Sequence, residues 1–190
     1  LPFHKSFPKT PCFQVYKCPT FAPSKKIRMS AIQILLGEGL DNVKFGMTRS
    51  QVNKILGKPD ETEVYQFSEE EKDLTEAWHY DETGFSISFD QENDWLLGSI
   101  AVSQTSCILE GADVMGMSKA DLIDYLEKLE IGDLEFDKQV DEAENIDLTV
   151  IYSPDENICF FLDDDQVSEV KWSPRWADTE MLDWPIDSEN

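Results

Sequence analysis

Few residues in this 190-residue chain have the type and spacing that chemistry requires. Two histidines occur, His4 and His79, and only His79 lies in the main body, between Trp78 and Tyr80. That run alternates as a strand does, so His79 is expected to serve a sheet rather than a reaction. The cysteines Cys12, Cys18, Cys107 and Cys159 have neither zinc-ligand nor Cys-x-x-Cys spacing. Cys12 and Cys18 could pair in an oxidising compartment, but free thiols are the favoured reading. Cys159 alternates with Ile158 and Phe160, which predicts a sheet thiol and not a nucleophile. Asp163-Asp164-Asp165 could offer oxygens to calcium, yet a calcium loop needs ligands at alternating positions and usually a glycine. A hairpin turn accounts for the triplet better. Gly-x-Ser-x-Gly, a phosphate-binding glycine loop and His-Glu-x-x-His are all missing from the sequence. The chain is therefore expected to carry no catalytic, cofactor-binding or metal site, and not to be an enzyme.

Binding residues are easier to find. Phe85-Ser86-Ile87-Ser88-Phe89 alternates strictly, turning Ser86 and Ser88 away from the core. If Phe160 and Leu162 face inward, Phe161 joins those serines on the open face. An aromatic beside small polar residues on a sheet suits protein docking. Trp176 and Trp184, in the tail, complete the expected partner-binding set, although such tryptophans also dock on their own domain.

A repeat must position these residues. Gly46-Met47-Thr48-Arg49-Ser50-Gln51-Val52 recurs 70 positions later as Gly116-Met117-Ser118-Lys119-Ala120-Asp121-Leu122. Thr48 and Ser118 read as helix N-caps, Gln51 completes a capping box, and Gly57 and Gly132 read as stops. Three strands follow each helix. The first set is 77–80, 85–89 and 97–102; the second is 148–152, 158–162 and 167–172. Tyr80 corresponds to Tyr152, Asp90 to Asp163 and Ile100 to Val170. Residues 29–37 read as a short helix or strand that would add a first helix. Residues 64–77 and 133–147 read as exposed acidic connections. The expected division is a basic proline-rich leader at 1–28, repeats at 29–104 and 105–173, and an acidic tail at 174–190.

The motif at 46–52, continued by Leu56-Gly57-Lys58-Pro59, Trp78-His79-Tyr80 and Ser86-Ile87-Ser88-Phe89-Asp90, resembles the SmpA/OmlA family. That family is the small lipoprotein of the outer-membrane barrel-assembly machinery. The likeness covers about residues 41–102, and the second copy keeps a weaker version. A tandem of such units resembles the β-lactamase inhibitor protein fold. The resemblance implies an α+β class with two helix-helix-β-β-β repeats, antiparallel sheets and helices on one face. It also implies a concave face that grips a target protein. The chain is similar, too, to small bacterial proteins encoded beside secreted toxins as immunity proteins.

Charge agrees with a protein partner. The formal net charge is −23, yet residues 1–28 carry six bases and no acid, leaving 10 bases against 39 acids elsewhere. Such a surface repels nucleic acid and anionic lipid and favours a basic protein. No apolar window long enough to span a membrane occurs. The expected function is a cytoplasmic, non-enzymatic acidic module that occludes a basic partner, as inhibitor or immunity proteins do. The alternative is an envelope or scaffold module akin to the barrel-assembly lipoprotein, periplasmic if an export signal precedes this chain.

Overall fold

The computed structural model describes residues 31–66, 74–141, 146–178 and 181–185, with side chains for all of these except 139–141, 146 and 147. The leader 1–28 lies outside the described residues. Eight strands form one antiparallel sheet in the order β10-β11-β12-β13-β7-β6-β5-β4. Its first half comprises β4 (Glu61–Gln66), β5 (Leu74–Tyr80), β6 (Phe85–Asp90) and β7 (Leu96–Val102). The second comprises β10 (Glu135–Asp141), β11 (Ile146–Ser153), β12 (Ile158–Asp163) and β13 (Gln166–Trp172). Before each half stands a short hairpin and one helix. Hairpin β2 (Gly39–Leu40) with β3 (Val43–Lys44) precedes α1 (Arg49–Leu56). Hairpin β8 (Cys107–Leu109) with β9 (Ala112–Asp113) precedes α2 (Lys119–Lys128). Strand β1 (Ile32–Gln33) runs parallel to β8.

This architecture corrects the expected class. The chain is mostly β, with two α-helices among the described residues in place of four, and each half contributes four strands rather than three. Residues 31–37 form β1 and a turn, because an apolar run this short satisfies its backbone on β8: Ile32 and Ile34 N–H donate to Ser106 and Ile108 carbonyls at 2.9 Å. The segments taken for acidic connections are largely strands β4, β5 and β10. Carboxylates do not disqualify β4 and β10, since edge strands tolerate charge that central strands cannot, and in β5 Glu76 is paired with Arg49.

The repeat motif folds alike twice. Thr48 and Ser118 cap their helices with φ −72°, ψ 156° and φ −66°, ψ 155°. Thr48 Oγ1 accepts from Gln51 N–H while Gln51 Oε1 accepts from Thr48 N–H at 2.8 Å, the capping box. Each motif then clips to the last strand of its own half. Gly46 N–H donates to the Leu97 carbonyl at 3.0 Å and Leu97 N–H to the Met47 carbonyl at 2.8 Å. Gly116 N–H and Val167 N–H repeat this with Val167 and Met117 at 2.8 and 2.9 Å. The glycines hold φ 83° and 75°, a region closed to most side chains.

Between the halves, Val102 pairs with Val170, Ala101 with Lys171 and Ile100 with Trp172. Shifting each residue by 70 returns the same pairs, so a pseudo-two-fold axis passes through Ala101 and Lys171. Ile100, Val102, Val170 and Trp172 are fully buried on the helix side, in a core shared by both halves. Trp172 also donates its indole N–H to the Gly39 carbonyl at 3.1 Å, tying the second half to the first hairpin.

One correspondence differs from the sequence reading. Tyr80 opposes Phe85 and Ser153 opposes Ile158, so Ser153, not Tyr152, matches Tyr80. The β6–β7 connection has five residues, Gln91–Trp95, whereas Asp164-Asp165 alone joins β12 to β13. The spacing is therefore 73 across β5 and β6, and 70 both at the helix motif and after this connection. Asp164 and Asp165 hold φ 50° and 64°, the pattern of a two-residue type I′ hairpin, as expected of the aspartate triplet.

A Cβ at Gly116 would touch nothing within 4 Å, so Gly116→Ala isolates the cost of positive φ. We expect a loss of about 1 kcal/mol, the left-handed penalty less the unfolded-state gain. A urea midpoint unchanged from wild type would refute it.

Candidate functional site

The face of the sheet away from α1 and α2 gathers three of the residues that sequence singled out, Ser86, Ser88 and Phe161. One row crosses all eight strands: Glu135, Tyr152, Cys159, Lys171, Ala101, Ser86, His79 and Glu61, each opposite the next. Next to it, Asp137, Val150, Phe161 and Glu169 occupy the second half, and Ser99, Ser88, Ala77 and Glu63 the equivalent first-half places. Alternation along each strand puts these side chains on one face because their neighbours Ile87, Phe89, Ile151, Phe160 and Leu162 fill the main core.

The two halves share this frame but dress it differently. In the second half Val150, Tyr152, Cys159 and Phe161 form a separate cluster, all at most 4% exposed. In the first half the matching positions carry Ala77, His79, Ser86 and Ser88, and both serines remain half-exposed. Ala77 and Ser99 form the floor of this region. Ser86 and Ser88 thus lie where the alternation put them. Phe161 is on the predicted face but buried.

The tail tryptophans sit elsewhere. Trp176 pairs with Leu182 in a small antiparallel turn, closed by Ala177 N–H to the Met181 carbonyl at 2.9 Å. Trp184 packs on the main core, of which Phe161 is not a member. Arg175 anchors the turn by donating from Nε and Nη2 to Glu156 Oε2 at 2.9 and 2.6 Å. The structure therefore brings Ser86 and Ser88 together and leaves Trp176 and Trp184 apart from them.

Bulges shape the face. The register slips at Ser88/Phe89 against β7 and at Phe161/Leu162 against β13, equivalent points of the two halves. A bulge adds local twist. Gly98 is the extra residue in β7, and a Cβ there would lie 2.8 Å from Asp90 Oδ2. The glycine leaves room for that carboxylate, which also accepts from Thr75 Oγ1 at 2.6 Å. In β13 Ser168 takes the bulge, donating from Oγ to the Phe161 carbonyl at 3.1 Å.

Electrostatics on the face centre on a few groups. His79 Nε2 lies 3.3 Å from Glu63 Oε2 without hydrogen-bond geometry, and it has no hydrogen-bond partner among the described residues. Burial pushes the Glu169 carboxyl up to about 7, against the opposing pull of Lys171. Cys107 belongs to the main core, where burial first and Asp113 second raise its thiol to about 12. Among the described residues no group of three His, Cys, Asp or Glu side chains could hold a metal ion. No helix among them is long and apolar enough to cross a membrane.

Sequence reasoning missed Ala77, Ser99 and Ala101 on the face, and Glu61 and Glu63 at its edge. The alternation Ser99-Ile100-Ala101-Val102 carried the signal for two of them. Glu61 and Glu63 gave none, since acidic residues in succession look like a solvated connection. No protein-family model matches this chain, and no curated protein or solved structure matches it either.

Glu169 gives the face a pH signature. Its folded value lies above the unfolded one, so its contribution is fully present below about pH 4 and is lost as pH rises through about 7. Glu169→Gln should equal wild type near pH 4 and exceed it at pH 8, by about 3 kcal/mol. Parallel urea-stability curves for the two proteins from pH 4 to pH 8 would contradict this assignment.

Proposed function

We propose that this chain is a non-enzymatic acidic protein-binding module. Its working surface is the first-half sheet face around Ser86 and Ser88, and its partner is a basic protein held by occlusion, in the manner of an inhibitor or immunity protein. One observation carries this reading. At equivalent positions of a duplicated frame, the second half has the buried Cys159 and Phe161, and the first half has the small, half-exposed Ser86 and Ser88 beside the buried Ala77.

Packing alone gives the first half no reason for that choice. A solvated antiparallel face ordinarily carries longer charged side chains, as Glu61 and Glu63 do at the edge. Small residues allow another protein to approach the backbone closely, and they themselves lose little side-chain entropy on docking. The net charge of −23 adds attraction for a basic surface, acting on association rate more than on affinity.

Cross-linking capture from the source lysate at low salt tests the reading. The wild type is compared with Ser86→Arg/Ser88→Arg and with Asn53→Arg, whose site is exposed on α1. Melting curves first establish that all three are folded. The expected result is a basic protein cross-linked to β5–β7, retained at least tenfold less by the double variant and by wild type in high salt. Equal retention by the double variant and the α1 control overturns the proposal.

A further inference from the structure

The first edge of the sheet is guarded in an unusual way. β4 is terminal in the strand order, so one side of its backbone has no strand beside it among the described residues. Natural edges discourage pairing through prolines, bulges, brevity or charge. β4 uses only the last of these. Its six residues hold an unbroken register with β5, from Glu61 opposite His79 to Gln66 opposite Leu74. It contains no proline, and Thr62, Val64 and Tyr65 all favour extended backbone. Glu61, Thr62, Val64 and Gln66 are exposed, Val64 to 59%.

A guard made of negative charge discriminates between intruders. It repels a second copy of this chain, whose two edges, β4 and β10, both carry acids at matching places: Glu61 and Glu63, Glu135 and Asp137. An extended segment bearing lysine or arginine meets no such barrier. There the same carboxylates become cross-strand partners for its side chains, each pair contributing roughly 0.2–1 kcal/mol. The other edge is less selective, because β10 includes Lys138 and its Phe136 ring stands under Lys119 Nζ at 5.6 Å.

We infer that β4 takes a basic extended segment as a ninth strand of the sheet. Backbone hydrogen bonds would hold the segment, and Glu61 and Glu63 would select its charge, a recognition mode built on strand addition. The inference rests on the basic partner proposed above and specifies how part of that partner is held. It places the docked strand next to the small-residue face, so one partner can cover both.

The probe is a nine-residue peptide in which lysine alternates with valine or threonine, with a glutamate-for-lysine peptide as its counterpart. Amide exchange is followed in the full chain. The lysine peptide should slow exchange within 61–66 at least tenfold, and the glutamate peptide should not. Glu61→Lys/Glu63→Lys should abolish this protection, while Asp124→Lys/Glu127→Lys, an equal charge change on the exposed side of α2, should preserve it. Equal loss in both double variants would reduce the effect to net charge and overturn the inference, as would peptide binding without protection of 61–66, or no binding. Ser86→Arg/Ser88→Arg should leave the protection intact, so a failed edge and a failed face give different results.

Discussion

Three residue pairs hold this molecule together as one sheet. Where β7 meets β13, Val102 faces Val170, Ala101 faces Lys171 and Ile100 faces Trp172. Every other pairing in the eight-stranded sheet lies within a half, so these pairs alone make eight strands from two sets of four. The contact is short, and it works because both faces of it are used. On the helix side four fully buried side chains, Trp172 the largest, weld the cores of the halves together. On the opposite side Ala101 and Lys171 mark the axis. Without this seam each half would expose a central strand edge, the most aggregation-prone surface a sheet can present.

The seam also explains why the halves could diverge on one face only. The helix side must fit a common core, and its positions stay apolar in both halves: Ile87 and Phe160, Phe89 and Leu162, Ile100 and Val170. The outer face carries no such shared obligation. There Ser86 and Ser88 in the first half stand where Cys159 and Phe161 stand in the second. The first half adds one further feature of its own. Arg49 pairs with Glu76, which also accepts from Trp78 Nε1, and Arg49 stands 4.7 Å over the Trp95 ring. Trp95 belongs to the connection that is three residues longer than its counterpart, so this cluster fastens the insertion to the helix.

The legible parts of the sequence were those governed by local rules. Gly46 and Gly116, Thr48 and Ser118, and Gln51 act through positive φ and capping, which need no knowledge of the rest of the chain. Strict alternation at Phe85–Phe89 placed Ser86 and Ser88 on the outer face for the same reason. The failures were non-local. β4 and β10 are strands because β5 and β11 pair with them, and nothing in Glu61–Gln66 or Glu135–Asp141 outweighs a loop reading when taken alone. The class was misjudged at the same place, since missing an edge strand in each half leaves units with too few strands. Tyr80 was matched to Tyr152 because the two tyrosines look alike, whereas hairpin register, set by loop lengths, pairs it with Ser153. The burial of Phe161 was equally invisible, because alternation gives the face and not the exposure.

Charge along the long row of the outer face follows the same logic of position. Glu135 and Glu61 stand at its two ends, and Lys171 lies near its middle with Ala101, Ser86 and Cys159 around it. Eight strands at about 4.8 Å spacing put the ends roughly 34 Å apart. Screening at physiological salt acts over about 8 Å, so the two edges present themselves to a partner as separate acidic sites. On the proposed function, a basic surface would be drawn first to an edge and would meet the small-residue region only after arriving there. The face would then set how closely such a partner seats, and the edge which partners reach it.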